Sequence, residues 1–235
     1  MIDLEVGGRR ERMIELELWG RRERIRLGLH ICQFYSQPAE ITHTAVPLLR
    51  DGLRGRDRGF FAAAAPRLEE ARKQLRAAQV DVDAAVERGQ LTLVDDPEAL
   101  MSGGRFDPYH LLATHQALIA RALSDGWQAV RCVIDMGWLA PPGQSIASPE
   151  QVLKYEAAAD AVFTFQGRPI VALLQYNYAE MPGDVVVELL KLHPIAIVGR
   201  HIKRNPYYVN AEEYTVQMIR RSQQRRQPRP PTPPT

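Results

Sequence analysis

The stretch Leu29-His30-Ile31-Cys32-Gln33-Phe34-Tyr35 decides the fold that this sequence predicts. It is apolar and β-prone, and Pro38 opens a helix almost directly after it. A strand that runs straight into a helix N-terminus is where an α/β protein commonly holds an anionic ligand. A phosphate-binding version needs the spacing G-x-x-x-x-G-K-[ST], but the connection here is Ser36-Gln37-Pro38-Ala39-Glu40, and Glu40 would repel phosphate. The sequence therefore predicts a nucleotide-binder's fold without a phosphate-binding loop.

Strand and helix patterns alternate along most of the chain. The predicted strands are 29–35, 58–65, 91–94, 129–135, 169–176 and 195–198, and the predicted helices are 38–53, 66–89, 107–125, 148–162 and 182–193. The strands are nearly continuous apolar runs, which is typical of strands buried on both faces. This alternation predicts an α/β fold with a doubly wound, mainly parallel sheet. A final helix is predicted after Asn210, which forms a capping box with Glu213.

The composition narrows the class of protein. The chain has 235 residues, of which 45% are hydrophobic and 25% charged, so it can bury a full core. No apolar run approaches the roughly 18 residues of a membrane span, and the N-terminus does not resemble a signal peptide. We therefore expect a cytoplasmic protein without membrane contact. Cys32 and Cys132 are predicted to be buried free thiols, because no second cysteine stands near either of them.

The charges are unevenly distributed between the ends and the middle of the chain. Residues 1–27 carry seven Arg and six acids, and residues 220–235 carry five Arg and no acid. Subtracting these from 30 basic and 28 acidic residues leaves 18 and 22 in residues 28–219, a net charge of −4. A nucleic-acid binder usually carries its basic stripe on the folded domain. The pattern argues against nucleic acid as the main ligand, and binding through the basic tail is a weaker alternative.

Both ends of the chain differ in pattern from the middle. Residues 1–27 contain a repeat of period twelve, in which 4–12 recur as 16–24 with alternating apolar and charged residues. This pattern predicts short β-strands that must pack on the domain or on another subunit, and a poorly ordered extension is the alternative. The Arg- and Pro-rich end predicts a disordered tail. We therefore divide the chain into a β extension (1–27), a domain (28–219) and a tail (220–235).

The carboxyl ends of the strands are the first place to look for a ligand, because open parallel sheets bind there. They supply Tyr35, Asp135 and Gln175. Asp135 stands where a Walker B aspartate would hold Mg²⁺ in an NTPase. Without a phosphate-binding loop, we expect this carboxylate to be hydrogen-bonded to a polar ligand or to neighbouring N–H groups.

Aromatic residues follow the later strands and helices. Trp138, Tyr155 and Tyr176 are predicted near the same edge, with Glu156 beside Tyr155. A pocket with apolar walls and a few polar groups would suit a small, largely uncharged molecule. The alternative is that these residues only cover the edge of the sheet.

The histidines give little metal signal. His110 and His115 are five apart and do not form the i, i+4 pair of a zinc site. His30 and His193 stand near the starts of strands, so we expect both at the amino-terminal edge, close to Cys32. A contact to a soft metal or haem through His30 and Cys32 lacks a third ligand. The sequence therefore predicts no metal site and no cofactor, and it contains no motif of nucleophilic catalysis.

Seven short motifs occur along the chain in a fixed order. They are His30-Ile31-Cys32-Gln33-Phe34-Tyr35, Gly103-Gly104-Arg105-Phe106-Asp107, Val133-Ile134-Asp135-Met136-Gly137-Trp138, Leu153-Lys154-Tyr155-Glu156, Leu174-Gln175-Tyr176, His193-Pro194 and Asn205-Pro206-Tyr207-Tyr208. Together they resemble a known family, the MEDS domain (methanogen/methylotroph, DcmR sensory domain). The resemblance covers about residues 28–215. It departs from the family pattern at Leu174, where many relatives have Cys, and at Asp135, where relatives often have Glu.

The resemblance implies a RecA/KaiC-like fold that has lost the phosphate loop. It also implies a non-enzymatic sensor of simple hydrocarbon derivatives within prokaryotic signalling proteins. Family members are joined to DNA-binding or histidine-kinase modules, or stand alone beside anti-sigma regulators. His30 and Cys32 match the family's most characteristic motif, and their ligand role is taken from that match.

We therefore predict a stand-alone sensory domain that binds a small molecule and regulates transcription through a protein partner of the anti-sigma or kinase type. The predicted ligand-binding residues are His30, Cys32, Tyr35, Asp135, Trp138, Tyr155, Glu156, Gln175 and Tyr176. One alternative is a divergent KaiC-like ATP-binding protein. Another is a structural protein that forms homo-oligomers and has an empty site.

Overall fold

A seven-stranded sheet forms the centre of the computed structural model, which describes residues 13–95, 105–139, 147–164 and 169–226. The strands are β1 (Met13–Leu18), β2 (Arg21–Arg26), β3 (Leu29–Tyr35), β4 (Arg58–Ala62), β5 (Leu91–Val94), β6 (Val130–Asp135), β7 (Ile170–Asn177), β8 (Ile195–Val198) and β9 (His201–Arg204). The helices are α1 (Ala39–Leu53), α2 (Ala65–Ala77), α3 (Val82–Glu87), α4 (Pro108–Ser124), α5 (Pro149–Thr164), α6 (Gly183–Lys191) and α7 (Ala211–Arg226).

The strand order in this sheet is β5-β4-β6-β7-β3-β8-β9. All neighbours are parallel except β8 and β9, which form an antiparallel pair at one edge. The central strands β3, β6 and β7 are buried along almost their whole length, as their continuous apolar sequences predicted. The predicted doubly wound, mainly parallel sheet is therefore confirmed.

The helices divide between the two faces of the sheet. Apolar residues of α1, α2 and α3 pack on one face with Ile31, Val133 and Leu173, and we call this the α1 face. Those of α4, α5 and α6 pack on the other face with Cys32 and Leu174, and we call this the α5 face. Side chains alternate between faces along each strand, so neighbouring residues of one strand take part in different sites.

The N-terminal hairpin packs on the domain itself. Strands β1 and β2 pair antiparallel through a two-residue turn, in which Trp19 and Gly20 both have positive φ, as a type I′ turn requires. Leu16, Leu18 and Ile25 are buried in the same apolar cluster as α1. The second copy of the repeat is thus a hairpin with one buried face, as predicted. Residues 1–12, which contain the first copy, lie outside the described residues.

Three predictions about the elements were wrong. The single helix predicted over 66–89 is two helices, because Gln79 has a φ of +62° and the Asp81 side chain accepts a hydrogen bond from the Ala84 N–H to start α3. Strand β9 was not predicted, since it is short and mostly exposed. Residues 220–226, assigned to the tail, continue helix α7. Residues 227–235 lie outside the described residues.

Across the described helices, none is both long and apolar enough to cross a membrane. Both cysteines are buried and free, as predicted.

One buried arginine ties β6 to the C-terminal end of α1. Arg131 Nε donates to Asp57 Oδ2 at 2.9 Å, and its guanidinium also donates to the Leu48 carbonyl at 3.1 Å. Both charged side chains are nearly inaccessible. A Cβ atom on Gly52 would lie only 2.6 Å from the Arg131 side chain, so this position of α1 accommodates the arginine only as glycine.

Replacing this arginine tests how strongly the pair holds the fold. Arg131→Met should lower the free energy of unfolding by about 3–5 kcal/mol, because it leaves the Asp57 carboxylate buried without its partner. The control is Arg76→Met, which breaks an exposed pair with Asp83 and should cost at most about 1 kcal/mol. Urea unfolding of both variants measures the difference. A loss below about 1 kcal/mol in Arg131→Met would contradict this account.

Candidate functional site

The connection between β3 and α1 is closed by the protein's own carboxylate. The Ser36 N–H donates to Glu40 Oε2 at 3.0 Å, and Glu40 stands in the first turn of α1. This is where a phosphate-binding loop would offer its N–H groups to a nucleotide. A phosphate placed there would meet a negative charge instead of glycine N–H groups and a lysine.

Asp135, in the Walker B position, is also engaged by protein groups. Its Oδ1 accepts from the Tyr35 hydroxyl at 2.8 Å and from the Gly137 N–H at 3.0 Å, and its Oδ2 accepts from Arg67 Nε at 3.2 Å. Burial raises the pKa of Tyr35, and the neighbouring Asp135 charge raises it further, so the phenol stays protonated and donates. Asp135 therefore bonds neighbouring donors, which is one of the two arrangements that the sequence predicted.

Gln175 links the same edge to helix α1. Its side-chain N–H₂ donates to Gln33 Oε1 at 2.7 Å and to the Ile41 carbonyl at 3.0 Å. Gln33 in turn donates to the Glu40 carbonyl at 3.0 Å. Because these bonds join β7, β3 and α1, they position the helix.

The opposite face of the sheet carries a buried cluster of polar side chains, which we call the α5 cluster. It consists of His30, Cys32, Tyr155, Glu156, Asp160, Tyr176 and His193, none more than 1% exposed. Glu156 lies at its centre, and its Oε1 accepts a hydrogen bond from the Tyr176 hydroxyl. Its Oε2 lies 3.2 Å from His30 Nε2 and 3.3 Å from His193 Nε2. The two imidazole rings are 4.0 Å apart between centroids.

The charges of this cluster depend on one another. Burial alone would lower the pKa of His30, but the adjacent Asp160 and Glu156 carboxylates outweigh it and raise that pKa. For His193, burial and His30 lower the pKa, while Cys32 and Glu156 raise it, and the net shift is upward. Burial alone would raise the pKa of Glu156, but the two neighbouring histidines outweigh burial, and the net shift is downward. The cluster thus stabilises a carboxylate between two imidazolium groups.

A further histidine borders the cluster and behaves differently. His115 on α4 is fully buried, and its Nδ1 lies 3.1 Å from the Tyr155 hydroxyl, the partner that hydrogen-bonds it. Burial lowers the pKa of His115 to about 4, since neighbouring Glu156 compensates only in part. The ring is therefore neutral at pH 7 and shares one hydrogen bond with the phenol.

The structure thus separates the predicted ligand residues into two groups on opposite faces. Tyr35, Asp135 and Gln175 are on the α1 face, and His30, Cys32, Tyr155, Glu156 and Tyr176 are on the α5 face. The expectation of one edge that also holds Tyr155 and Tyr176 is wrong. Tyr176 points away from the face of Gln175 because the two residues are neighbours on one strand. The side chain of Trp138 lies outside the described residues.

Some residues of the α5 cluster were missed, and others were only partly predicted. The proximity of His30 and His193 to each other and to Cys32 was expected, and the structure shows the two histidines in contact. Asp160 was not considered, although it lies four residues after Glu156 and hence on the same side of α5. Two acidic residues at this spacing among alanines are the signal from which a buried pair could have been predicted.

The cluster also brings three possible metal ligands together, with His30 among them but not Cys32, the partner that the sequence suggested. Ligand atoms of His30, Glu156 and His193 all lie within 4.8 Å of one another, so these residues can hold a metal ion. Two imidazoles and a carboxylate are donors that suit zinc and ferrous iron.

Two features define the class of this domain: a parallel sheet that lacks the phosphate-binding loop of the P-loop NTPases, and a buried cluster of histidine and glutamate side chains. A sequence model of the MEDS family (MEthanogen/methylotroph, DcmR Sensory domain) matches residues 29–194. The chain belongs to this family. It is 29% identical over 164 residues to the transcriptional repressor DcmR of Methylorubrum extorquens. This match covers 70% of the present chain and 57% of the repressor. The chain thus spans little more than half the length of that curated relative.

One solved structure supports the same fold. A KaiC-like protein from Pyrococcus horikoshii aligns over 79% of this chain and 83% of its own, with a TM-score of 0.51 and 10% identity. The flagellar accessory protein FlaH from Methanocaldococcus jannaschii aligns over 75% of both chains, with a TM-score of 0.49 and 11% identity. The fold is KaiC-like, as the resemblance implied.

The buried neutral histidine gives a testable pH dependence. Below pH 6.5 the unfolded chain takes up a proton on His115 that the folded chain does not accept until about pH 4. This residue therefore lowers stability progressively as the pH falls from 6.5 to 4. We expect wild type to lose about 2 kcal/mol more than His115→Phe between pH 7 and pH 4.5, measured by urea unfolding.

The exposed His110 on the same helix provides the control. His110→Phe makes the same substitution at an exposed position of this helix, so it shows what the change from histidine to phenylalanine does outside the core. Equal losses in His115→Phe and wild type would show that folding does not lower the pKa of His115 and would contradict this account.

Proposed function

We propose that this chain is a non-enzymatic sensory domain that binds a small hydrocarbon derivative in the α5 cluster and regulates transcription through a protein partner. One observation carries the proposal. We call the sheet edge at Ser36 and Asp135, where a P-loop protein would bind its nucleotide, the nucleotide edge. It is occupied by the protein's own Glu40, Tyr35 and Arg67 side chains. The polar groups of the α5 cluster instead converge on one another between helix and sheet. The family and the repressor DcmR support the regulatory role.

The chemistry of the cluster favours a small, largely uncharged ligand. Imidazole, thiol, phenol and carboxylate groups stand among apolar walls that include Phe163, Ala172 and Leu189. Such a site combines an apolar body with a few directional polar contacts. A short alcohol, aldehyde or haloalkane offers a matching apolar chain with one polar end.

Helix α5 connects this cluster to the surface. Asp160 accepts a hydrogen bond from the Tyr208 hydroxyl at 2.8 Å, just before helix α7, and Ala157 of α5 packs against Tyr214 of α7. Val216 on α7 and Val187 on α6 are exposed apolar residues nearby. A ligand that moves α5 against the sheet would therefore shift the α6–α7 surface, and we propose that a partner of the anti-sigma or kinase type reads this surface. The cytoplasmic location stays a prediction.

Thermal unfolding of the full chain tests ligand binding and its location together. A ligand at 100 times its Kd should stabilise the fold by about 2.7 kcal/mol and raise the Tm by about 5–10 °C. The panel consists of short alcohols, aldehydes and haloalkanes. The rise should be lost in Glu156→Gln and in Tyr176→Phe, each compared with its own ligand-free Tm, and it should be kept in Asp135→Asn.

The competing functions give different outcomes in the same assay. A Tm rise with MgATP, abolished by Asp135→Asn and kept in Glu156→Gln, would replace the proposal with a KaiC-like ATP-binding protein. No rise with any compound, together with a change of oligomeric state on deletion of residues 1–27, would favour the structural oligomerisation protein.

A further inference from the structure

We propose that His30, Glu156 and His193 bind one divalent first-row transition metal ion, with Zn²⁺ as the preferred ion. The site lies on the α5 face, between strand β3, helix α5 and the segment that joins α6 to β8. It does not depend on the sensory function, because it follows from the donor atoms of these three side chains.

The distances between the donor atoms agree with tetrahedral coordination. Zinc bonds of about 2.0–2.1 Å to nitrogen and oxygen place two ligand atoms of a tetrahedron about 3.3–3.4 Å apart. Glu156 Oε2 lies 3.2 Å from His30 Nε2 and 3.3 Å from His193 Nε2. The side chains are therefore already spaced as two edges of such a tetrahedron.

These three atoms are also without hydrogen bonds in the part of the chain that the structure describes. His30 Nε2, His193 Nε2 and Glu156 Oε2 are fully buried, and they approach one another as ion pairs without the geometry of a hydrogen bond. Buried polar atoms are nearly always satisfied, so such a group of three requires a reason. A single metal ion accepts a lone pair from all three at once.

Two of the remaining polar atoms of the same residues are hydrogen-bonded to a second layer of partners. His193 Nδ1 lies 2.8 Å from the Leu189 carbonyl, which places a proton on Nδ1 and leaves Nε2, which faces Glu156, to bind a proton or a metal ion. Glu156 Oε1 accepts from the Tyr176 hydroxyl, whereas His30 Nδ1 lies 3.6 Å from Asp160 Oδ1, beyond hydrogen-bond distance. Partners of this kind on His193 and Glu156 orient the ligands of many metal sites.

The local charge suits a divalent cation. Glu156 and the nearby Asp160 are two buried carboxylates, and a metal ion would replace the protons that His30 and His193 carry without it, so the metal-bound histidines would add no charge. A bound divalent cation balances the two carboxylates, and buried charges are stable only when they are balanced in this way. Imidazole and carboxylate donors bind zinc in preference to magnesium or calcium, and three protein ligands leave a fourth position open.

Metal analysis of the full chain tests the proposal. The chelator-stripped protein is incubated with excess ZnCl₂, desalted and measured by inductively coupled plasma mass spectrometry. Wild type should retain one zinc per chain and show a higher Tm than the stripped protein. His193→Gln and Glu156→Gln should each weaken zinc binding at least about 100-fold, since each removes a direct ligand.

The neighbouring His115 supplies the matched control. His115→Gln removes a buried histidine of the same face that is not a donor, and it should keep one zinc at wild-type affinity. Circular dichroism of the stripped variants checks that they fold. Wild type that retains no metal, or His193→Gln that binds zinc as tightly as wild type, would overturn the proposal.

X-ray absorption of the zinc-loaded wild type gives a result that needs no variant. It should show two imidazoles and oxygen ligands at about 2.0–2.1 Å. A coordination sphere without two imidazoles would refute the site even if zinc binds. Retention of iron in place of zinc by the same three side chains would support the site and correct the preferred metal.

Discussion

The fully buried carboxylate of Glu156 is the constraint on which the α5 side of this domain depends. A carboxylate without solvent is costly unless charged or hydrogen-bonding partners surround it. Its partners come from three separate parts of the chain: His30 on β3, Tyr176 on β7 and His193 before β8. Helix α5 can therefore pack on the sheet in only one rotation and one position along its axis, because any other would leave the charge unpaired.

The polar groups on the two faces of the sheet are arranged differently. On the α1 face, the groups in the positions of a nucleotide site bond one another, as in the contacts of Tyr35 with Asp135 and of Ser36 with Glu40. On the α5 face, carboxylate, imidazole and phenol groups converge beneath one helix. In this KaiC-like fold, the buried polar cluster thus lies on the opposite face of the sheet from the groups in the positions of a nucleotide site.

Much of the fold could be predicted from local pattern. Apolar runs such as Ile170–Asn177, separated by capped helices, give the parallel sheet because that alternation has few other solutions. The break between α2 and α3 could not be predicted in the same way, since it depends on the left-handed conformation of Gln79. The site was only half predicted. The proximity of His30 and His193 follows from strand direction, but the meeting of both with Glu156 depends on the rotation of α5, which packing determines.

The central claim is that the α5 cluster, and not the nucleotide edge, is the binding centre of this domain. Native mass spectrometry of the freshly purified full chain tests it most directly, because one spectrum reports every small molecule or ion that stays bound. We predict an added mass on wild type that persists in Asp135→Asn and disappears in Glu156→Gln. A nucleotide mass that persists in Glu156→Gln and disappears in Asp135→Asn would contradict the claim.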